Sequence, residues 1–202
     1  MSNRKLTLDD IADMRAYERE REQFRQRVIE LKRRRRVGVG PHVTLVFENR
    51  DTIRFQIQEM ARIERLYSDA QIEIELAVYN PLIPEAGHLS ATLFVELTGD
   101  DLLREWLPKL VGIERSVSMV IGEGNGREVV PFTVDADHDE QLTREDITAS
   151  VHYVHLSLTA AQIERFASSP VTLTIDHANY AFESRLGDAT VAELLTDLRP
   201  DA

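Results

Sequence analysis

Cysteine is absent from the 202-residue sequence. Its absence excludes disulfide bonds, thiolate nucleophiles, zinc knuckles and cysteine-ligated iron–sulfur clusters within the chain. Any metal ion bound by these residues must therefore be held by histidine, aspartate or glutamate.

Long hydrophobic runs are also missing. No stretch reaches the roughly 18 apolar residues that a membrane-spanning helix requires, and residues 1–10 contain no apolar segment typical of a secretory signal. With 9 glycines, 7 prolines and 43% hydrophobic residues, the composition is that of an ordinary globular protein. We therefore expect a cytoplasmic chain that folds around its own core.

Positive charge is scarce in most of the chain. The net charge is −11, but residues 1–67 contain 16 Lys/Arg against 11 Asp/Glu, whereas residues 68–202 contain 8 against 24. A basic segment of this kind binds an anionic partner or lies against the acidic remainder of its own molecule, and we favour the second interpretation. Nucleic acid is disfavoured because the whole molecule is acidic.

Capping signals and helical periodicity predict three helices in the first 80 residues. Thr7 with Asp10 marks the start of the first, and Ser68 with Gln71 marks the start of the third. The first ends at a run of four arginines followed by glycines, a pattern typical of a helix stop. The predicted elements are a helix from Thr7 to about Arg36, a strand at His42–Glu48, and helices at Thr52–Tyr67 and Asp69–Tyr79, although Ile72–Leu76 also fits a strand period.

Strand patterns dominate the rest of the chain. Strands are predicted at Leu89–Leu97, Val117–Ile121, Glu128–Val134, Ala149–Leu158, Val171–Ile175 and Tyr180–Arg185, with short helices at Asp100–Val111, Thr159–Ala167 and Asp188–Leu198. Pro131 predicts that its strand lies at a sheet edge. The sequence thus predicts a single α+β domain over residues 1–202, with N-terminal helices packed on a mostly antiparallel sheet. Residues 1–80 are expected to be mainly helical, 88–186 mainly strands and 188–198 a terminal helix.

The second predicted helix carries polar residues on its apolar face. At about 100° per residue, the apolar face contains Ile53, Ile57, Met60, Ile63 and Tyr67, and the polar face contains Arg54, Gln58, Arg62 and Arg65. Gln56, Glu59 and Glu64 fall on or beside the apolar face. A buried carboxylate is costly unless it is paired, hydrogen-bonded, protonated or metal-bound. We predict a structural polar network of Gln56, Glu59, Glu64 and Arg54, with Arg21 or one of Arg33–Arg36 pairing a carboxylate; a metal-binding or acid–base role for Glu59 and Glu64 is the alternative.

Histidine offers one possible metal site. His152 and His155 lie in a predicted strand, so their side chains are expected on opposite faces and do not readily chelate one ion. His155 and His177 with Glu59 and Glu64 would instead form a His/carboxylate site that iron, manganese or zinc accepts. No HExxH spacing supports this site. A metal ion held by these His and Glu side chains is the cofactor that the residues themselves suggest.

An acidic segment has part of the spacing of a calcium loop. Asp135, Asp137 and Asp139 are followed by Asp146 at the twelfth place, but Glu140 stands where the turn glycine belongs, and Asp146 replaces the bidentate glutamate. We interpret this segment as an acidic surface loop.

The arginine run is a second candidate binding site. Arginine side chains bind anions, and glycines let backbone amides approach them. The candidate anion-binding residues are Arg33, Arg34, Arg35, Arg36, Gly38 and Gly40. No Walker loop, Gly-x-Gly-x-x-Gly, PilZ-type Asn/Asp-x-Ser-x-x-Gly or Gly-x-Ser-x-Gly accompanies them.

Three segments carry a family resemblance. They are Arg4–Tyr17, Leu31–His42 and Glu48–Met60, of which the stretch from Asn49 to Met60 is the most specific. The sequence resembles a bacterial family of uncharacterised proteins, often encoded beside rubrerythrin and an iron–sulfur oxidoreductase related to heterodisulfide reductase subunits. The resemblance implies a cytoplasmic setting in peroxide detoxification or electron transfer, and it identifies no catalytic residues that could be assigned to this sequence.

Three functional hypotheses follow. The leading one is a non-catalytic accessory or interaction protein of a rubrerythrin-linked redox system, with rubrerythrin or the iron–sulfur oxidoreductase as partner. The second is a metal-binding protein or metal-dependent enzyme that uses Glu59, Glu64, His155 and His177. The third is an anion or nucleotide sensor built on the arginine run and its glycines.

Overall fold

The computed structural model describes residues 4–134 and 147–199, which contain six α-helices and nine β-strands. The helices are α1 Met14–Arg35, α2 Arg50–Glu64, α3 Asp69–Tyr79, α4 Asp100–Trp106, α5 Ala160–Ser168 and α6 Asp188–Leu198. The strands are β1 Arg36–Val39, β2 Val43–Glu48, β3 His88–Val95, β4 Val117–Ile121, β5 Glu128–Pro131, β6 Thr133–Val134, β7 Val151–Ser157, β8 Val171–His177 and β9 Tyr180–Arg185. This content confirms the predicted α+β class.

Two antiparallel sheets form the centre of the fold. The first has the strand order β1-β2-β3-β7-β6 and the second the order β5-β4-β8-β9. Leu45 and Leu93 of the first sheet share one buried cluster with Met119 and Leu173 of the second, and α5 and α6 add Phe166 and Leu194 to it. The main core therefore lies between the facing sides of the two sheets.

The N-terminal helices form two smaller cores beside the first sheet. Tyr17, Phe24 and Val28 of α1 pack with Phe55 of α2, and α2 and α3 share a second apolar cluster that reaches Tyr153 of β7. All six residues of β2 are buried. The prediction of N-terminal helices packed on an antiparallel sheet is confirmed.

The start of the first helix differs from the prediction. Thr7 and Asp10 do form a capping box, but it closes a single 3-10 turn at Leu8–Asp10. Helix α1 begins only at Met14, where the Asp13 carboxylate accepts a hydrogen bond from the Ala16 amide at 2.9 Å. The capping box was predicted correctly, but the chain makes one 3-10 turn before the long helix begins.

The end of the first helix differs as well. Arg36–Val39 is not a helix stop but the edge strand β1, which pairs antiparallel with β2. Val37 and Val39 point into the core and alternate with exposed positions, so period-two burial decides the conformation here.

Other boundaries agree to within a few residues. Helix α2 begins at Arg50, after an Asn49 cap, and ends at Glu64, because Arg65 adopts a left-handed conformation with φ 58°. Helix α3 has the predicted range and the predicted Ser68–Gln71 capping box. Residues 128–134 split between two sheets, and Pro131 lies in an edge strand as predicted. The segment with calcium-loop spacing, residues 135–146, lies outside the described residues.

Across the described ranges, no helix is both long enough and apolar enough to cross a membrane.

Candidate functional site

A polar brace joins the start of α1 to the middle of α2. The Gln58 side chain accepts a hydrogen bond from the Ala12 amide at 2.8 Å and donates one to the Ala12 carbonyl at 3.1 Å. Glu59 accepts from the Tyr17 hydroxyl at 2.7 Å and from two nitrogens of Arg21 at 2.7 and 2.8 Å. These bonds fix the angle at which the chain enters α1.

The ionisation of the brace follows from its geometry. The hydrogen bonds of Arg21 hold the pKa of Glu59 below its ordinary value, although partial burial opposes the shift. Burial, and then the adjacent Glu59 carboxylate, raise the pKa of Tyr17. At neutral pH the brace is therefore a carboxylate held by a guanidinium and a neutral phenol.

A groove of about 410 Å³ opens beside this brace. It lies between the start of α1 and the turn that joins α2 to α3. Its lining is mainly apolar and includes Ile11, Met14, Ala61, Leu66 and Ile72, with Asp13, Arg15 and Asp69 as its charged members. The groove is large enough for one or two side chains of a partner and offers no unpaired buried polar group.

Helix α3 is apolar on two opposite sides. Ile72 and Leu76 face the core and are buried. At about 100° per residue, the opposite side carries Ala70, Ile74, Ala77 and Val78, which we call the α3 outer face. Ile74 is 62% exposed and Val78 is 45% exposed. Because residues four apart are neighbours on a helix surface, these two side chains form one continuous apolar strip.

Acidic side chains border the α3 outer face. By helical geometry Glu73 lies on one flank and Glu75 on the other, and α3 contains no Lys or Arg. Of the described residues, no Lys or Arg lies within ion-pair distance of Glu64, Glu73 or Glu75. Burial, and then the Glu64 carboxylate, raise the pKa of Glu75. The strip is thus apolar in the centre and negatively charged at its borders.

The apolar face predicted for α2 is exposed at its carboxyl end. Ile63 is 67% exposed and Tyr67, after the helix, is 72% exposed. Ala61 is buried, and a residue two positions on points about 200° away from it, towards solvent. Gln58, placed by its periodicity on the polar face, is buried because it bonds the chain ahead of α1. The buried stripe runs through Ile53, Ile57 and Ala61 instead.

The four residues expected to form one polar network have separate surroundings. Glu59 belongs to the brace with Arg21. Arg54 donates to the Asp10 carbonyl at 2.7 Å and lies 5.0 Å from the centre of the Phe24 ring. Glu64 is exposed near Glu75, and Gln56 is half-buried without a side-chain hydrogen bond to the described residues.

The four candidate metal ligands are not brought together. His155 lies on β7 of the first sheet and His177 at the end of β8 in the second, while Glu59 and Glu64 lie on α2. A ring nitrogen of His177 is 3.0 Å from the Val111 carbonyl. No group of three or more His, Asp or Glu residues with metal-binding geometry occurs where the structure describes the chain.

Each arginine of the run lies beside a carboxylate of the same chain. Arg33 pairs with Glu30, Arg34 with Glu193, and Arg36 with Glu96. Arg35 is fully buried and contacts Asp197 at 2.7 Å and Glu193 at 3.0 Å. The basic segment therefore lies against acidic residues of its own molecule, which include α6.

The two glycines of the candidate anion-binding site, Gly38 and Gly40, lie within β1 and directly after it. Gly38 lies within β1, opposite Thr44. Gly40 has φ 71°, and a Cβ there would lie 2.6 Å from the Tyr180 hydroxyl and from the Phe182 ring. The Tyr180 hydroxyl donates to the Val39 carbonyl at 2.7 Å and accepts from the His42 and Val43 amides. Close approach of the β1–β2 turn to this ring accounts for the glycine.

Sequence reasoning missed two features. Glu48 is buried at the end of β2, where it accepts hydrogen bonds from Thr52 at 2.5 Å and Thr92 at 2.7 Å. A strand was predicted up to Glu48, but strand alternation alone does not show that its last carboxylate is buried. The α3 outer face was missed because Ile74 fits a buried strand as well as a helix, and only the position of α3 in the fold shows that its second side is uncovered.

Comparison with known proteins identifies a matching family and a similar crystal structure. Residues 5–198 match the family described as "Protein of unknown function (DUF3501)". A crystal structure described as a novel protein of unknown function from Burkholderia pseudomallei K96243 is similar, with a TM-score of 0.86 and 34% sequence identity, over 96% of this chain and 99% of that chain. A search of curated proteins finds no match.

Proposed function

Because the chain belongs to the DUF3501 family of proteins of unknown function, and because its own surface offers an uncovered helix face, we propose that it is a cytoplasmic, non-catalytic accessory protein that docks on a partner protein through the α3 outer face. One observation carries the proposal. Ile74 and Val78 form an exposed apolar strip, and the glutamates at its borders have no cation within the described residues. An exposed apolar strip with a polar rim is typical of an interaction surface.

The internal organisation of the molecule supports a non-catalytic role. The arginine run is engaged by carboxylates, and the Glu59 carboxylate is held by Arg21 and Tyr17. The strongest polar clusters thus hold helices together. Their ionised groups are already matched, whereas the glutamates that border the α3 outer face have no Lys or Arg within ion-pair distance among the described residues.

The partner we propose is rubrerythrin or the heterodisulfide-reductase-like iron–sulfur oxidoreductase, within peroxide defence or electron transfer. The resemblance of the sequence supports this setting. The lack of cysteine fits an accessory role, because a cysteine-ligated cluster would have to reside on the partner.

Co-purification tests the proposal. The untagged chain is co-expressed with tagged rubrerythrin or tagged oxidoreductase, and the complex is isolated by size-exclusion chromatography. We expect one of them to retain the chain, and the variant Ile74→Gln/Val78→Gln to lose retention. Glutamine keeps helix propensity while removing the apolar strip.

The matched control is Val129→Gln, because Val129 is 52% exposed but lies on β5, in another part of the fold. This control should be retained like the unmodified chain. Retention by neither partner would contradict the redox setting, and equal retention of both variants would contradict the α3 outer face.

A further inference from the structure

The charges that border the α3 outer face lack the counter-charges found elsewhere in the molecule. Glu59 has Arg21, Glu193 has Arg34 and Arg35, and Glu96 has Arg36. Glu64, Glu73 and Glu75 have no such partner among the described residues, and the Glu64 carboxylate lies close enough to Glu75 to add to the burial that raises the pKa of Glu75. The apolar strip is therefore bordered by carboxylates that have no counter-charge within ion-pair distance among the described residues.

A second copy of the chain that pairs through the same face does not fit this surface. Glu73 and Glu75 flank the strip on opposite sides, so any pairing of two α3 outer faces brings glutamates towards glutamates. Like charges at such positions destabilise a helix pair. The charge pattern instead requires an occupant that is apolar in the centre and cationic at both borders.

The length and shape of the α3 outer face further restrict which structural elements can bind it. Helix α3 has 11 residues, which corresponds to a length of roughly 16 Å, or about three turns. The α3 outer face runs along the helix from Ala70 through Ile74 to Val78, with Glu73 on one flank and Glu75 on the other. A second helix packed alongside presents the same geometry, with apolar residues at three- and four-residue spacing. Ala70 and Ala77 leave room for a close approach.

We propose that the partner binds the α3 outer face with a basic amphipathic α-helix, whose apolar stripe covers Ile74 and Val78 and whose Lys or Arg side chains pair with Glu73 on one flank and with Glu75 and Glu64 on the other. This inference rests on the proposed function and names the chemistry of the partner. It concerns a protein segment, because a surface bordered by glutamates repels the anionic headgroups of a membrane.

Two synthetic helical peptides test the charge pattern directly. Both carry the same leucine stripe, and their flanking positions are all lysine in one and all glutamate in the other. Fluorescence anisotropy measures the Kd of each peptide for the full chain. We expect the lysine peptide to bind at least about tenfold more tightly than the glutamate peptide, and its affinity to fall as salt rises.

Variants of the chain locate the binding. Glu73→Gln/Glu75→Gln is expected to weaken the lysine peptide roughly 3- to 30-fold, because it removes two exposed ion pairs. Asp176→Asn/Glu183→Gln changes the net charge equally on the exposed side of β8 and β9 and should leave the affinity unchanged. Equal weakening by both would mean diffuse attraction of a cation to an acidic protein and would overturn the inference.

The inference can fail while the proposed function stands. If a redox partner binds through Ile74 and Val78 but neither peptide discriminates by charge, the partner is not a basic helix. If the chain alone forms a concentration-dependent dimer that Ile74→Gln/Val78→Gln abolishes, the occupant is a second copy. If the Ile74→Gln/Val78→Gln variant binds both the partner and the peptides normally, both proposals fail.

Discussion

The carboxyl end of α1 and the α3 outer face each contain several residues of one kind. The fold pairs the residues of the first region and leaves those of the second exposed. Four consecutive arginines, three at the end of α1 and the fourth at the start of β1, resemble an anion-binding site, but each lies beside a carboxylate, and Arg35 is fully buried. Ile74 and Val78 of α3 resemble core residues, but both are exposed and bordered by glutamates without cations in the described part of the chain.

The difference shows that composition alone does not distinguish a structural cluster from a binding surface. What distinguishes them is whether other residues of the fold pair with the side chains or cover them. The arginine run forms ion pairs with carboxylates of α6 and with Glu96, the residue that follows β3. The α3 outer face is matched by nothing that the structure describes. Variants that disturb each region should therefore affect different properties, stability in the first and binding in the second.

The largest effect on stability is expected at Arg35. Arg35→Met leaves Asp197 and Glu193 without their buried cation, which should lower the free energy of unfolding by about 3–5 kcal/mol. Urea denaturation measures the loss. Arg33→Met is the control, because Arg33 is exposed and pairs only with Glu30 of its own helix; its effect should stay within about 0.5 kcal/mol. Similar losses in both variants would contradict the matched-cluster account.

A smaller loss is expected at Gln58. Gln58→Ala removes two hydrogen bonds to the Ala12 backbone and leaves those groups near the interior, which should cost about 1–3 kcal/mol. Gln56→Ala is a close control two residues away, because Gln56 is only half-buried and forms no side-chain hydrogen bond to the described residues. Its effect is expected near 0.5 kcal/mol. A reversed order of the two losses would show that the brace does not hold α1.

The brace should also make stability depend on pH. Hydrogen bonds from Arg21 lower the pKa of Glu59, so Glu59 contributes stability above the pKa of the unfolded chain and loses it as pH falls through the folded pKa. Glu59→Gln should cost about 1.5–3 kcal/mol at pH 7, and the difference from the unmodified chain should shrink below about pH 4. A difference as large at pH 3 as at pH 7 would contradict the ion pair.

The smallest effect, of opposite sign, is expected at Glu75. Burial and the Glu64 carboxylate raise the pKa of Glu75, so its ionisation lowers stability as pH rises through the folded pKa. Glu75→Gln should therefore raise the free energy of unfolding by a few tenths of a kcal/mol at pH 7. The gain should vanish below about pH 4, where the carboxyl is protonated. Destabilisation at pH 7 would mean that Glu75 has a cationic partner within the chain.

Local signals accounted for much of the fold. The α+β class and the range and cap of α3 followed from capping residues and periodicity, and the edge position of Pro131 followed from its missing backbone N–H. The β1 strand did not, because its four residues follow an arginine run that suits a helix end, and only pairing with β2 shows their period-two burial.

The candidate site was less predictable for a physical reason. Periodicity identifies apolar faces but does not say which of them the fold covers. It placed Gln58 outside and Ile63 inside, whereas the chain that precedes α1 covers Gln58 and Ile63 is 67% exposed. The importance of Glu59 was visible as a carboxylate beside an apolar arc, but its partners Tyr17 and Arg21 come from another helix.

Hydrogen–deuterium exchange of the complex compares the two regions in one measurement. The chain is labelled alone and with the redox partner that retains it, and exchange is followed in peptides that cover residues 33–36 and 69–79. The account predicts that binding slows exchange in residues 69–79 and leaves residues 33–36 unchanged. Protection of the arginine run, with α3 exchanging as in the free chain, would contradict it.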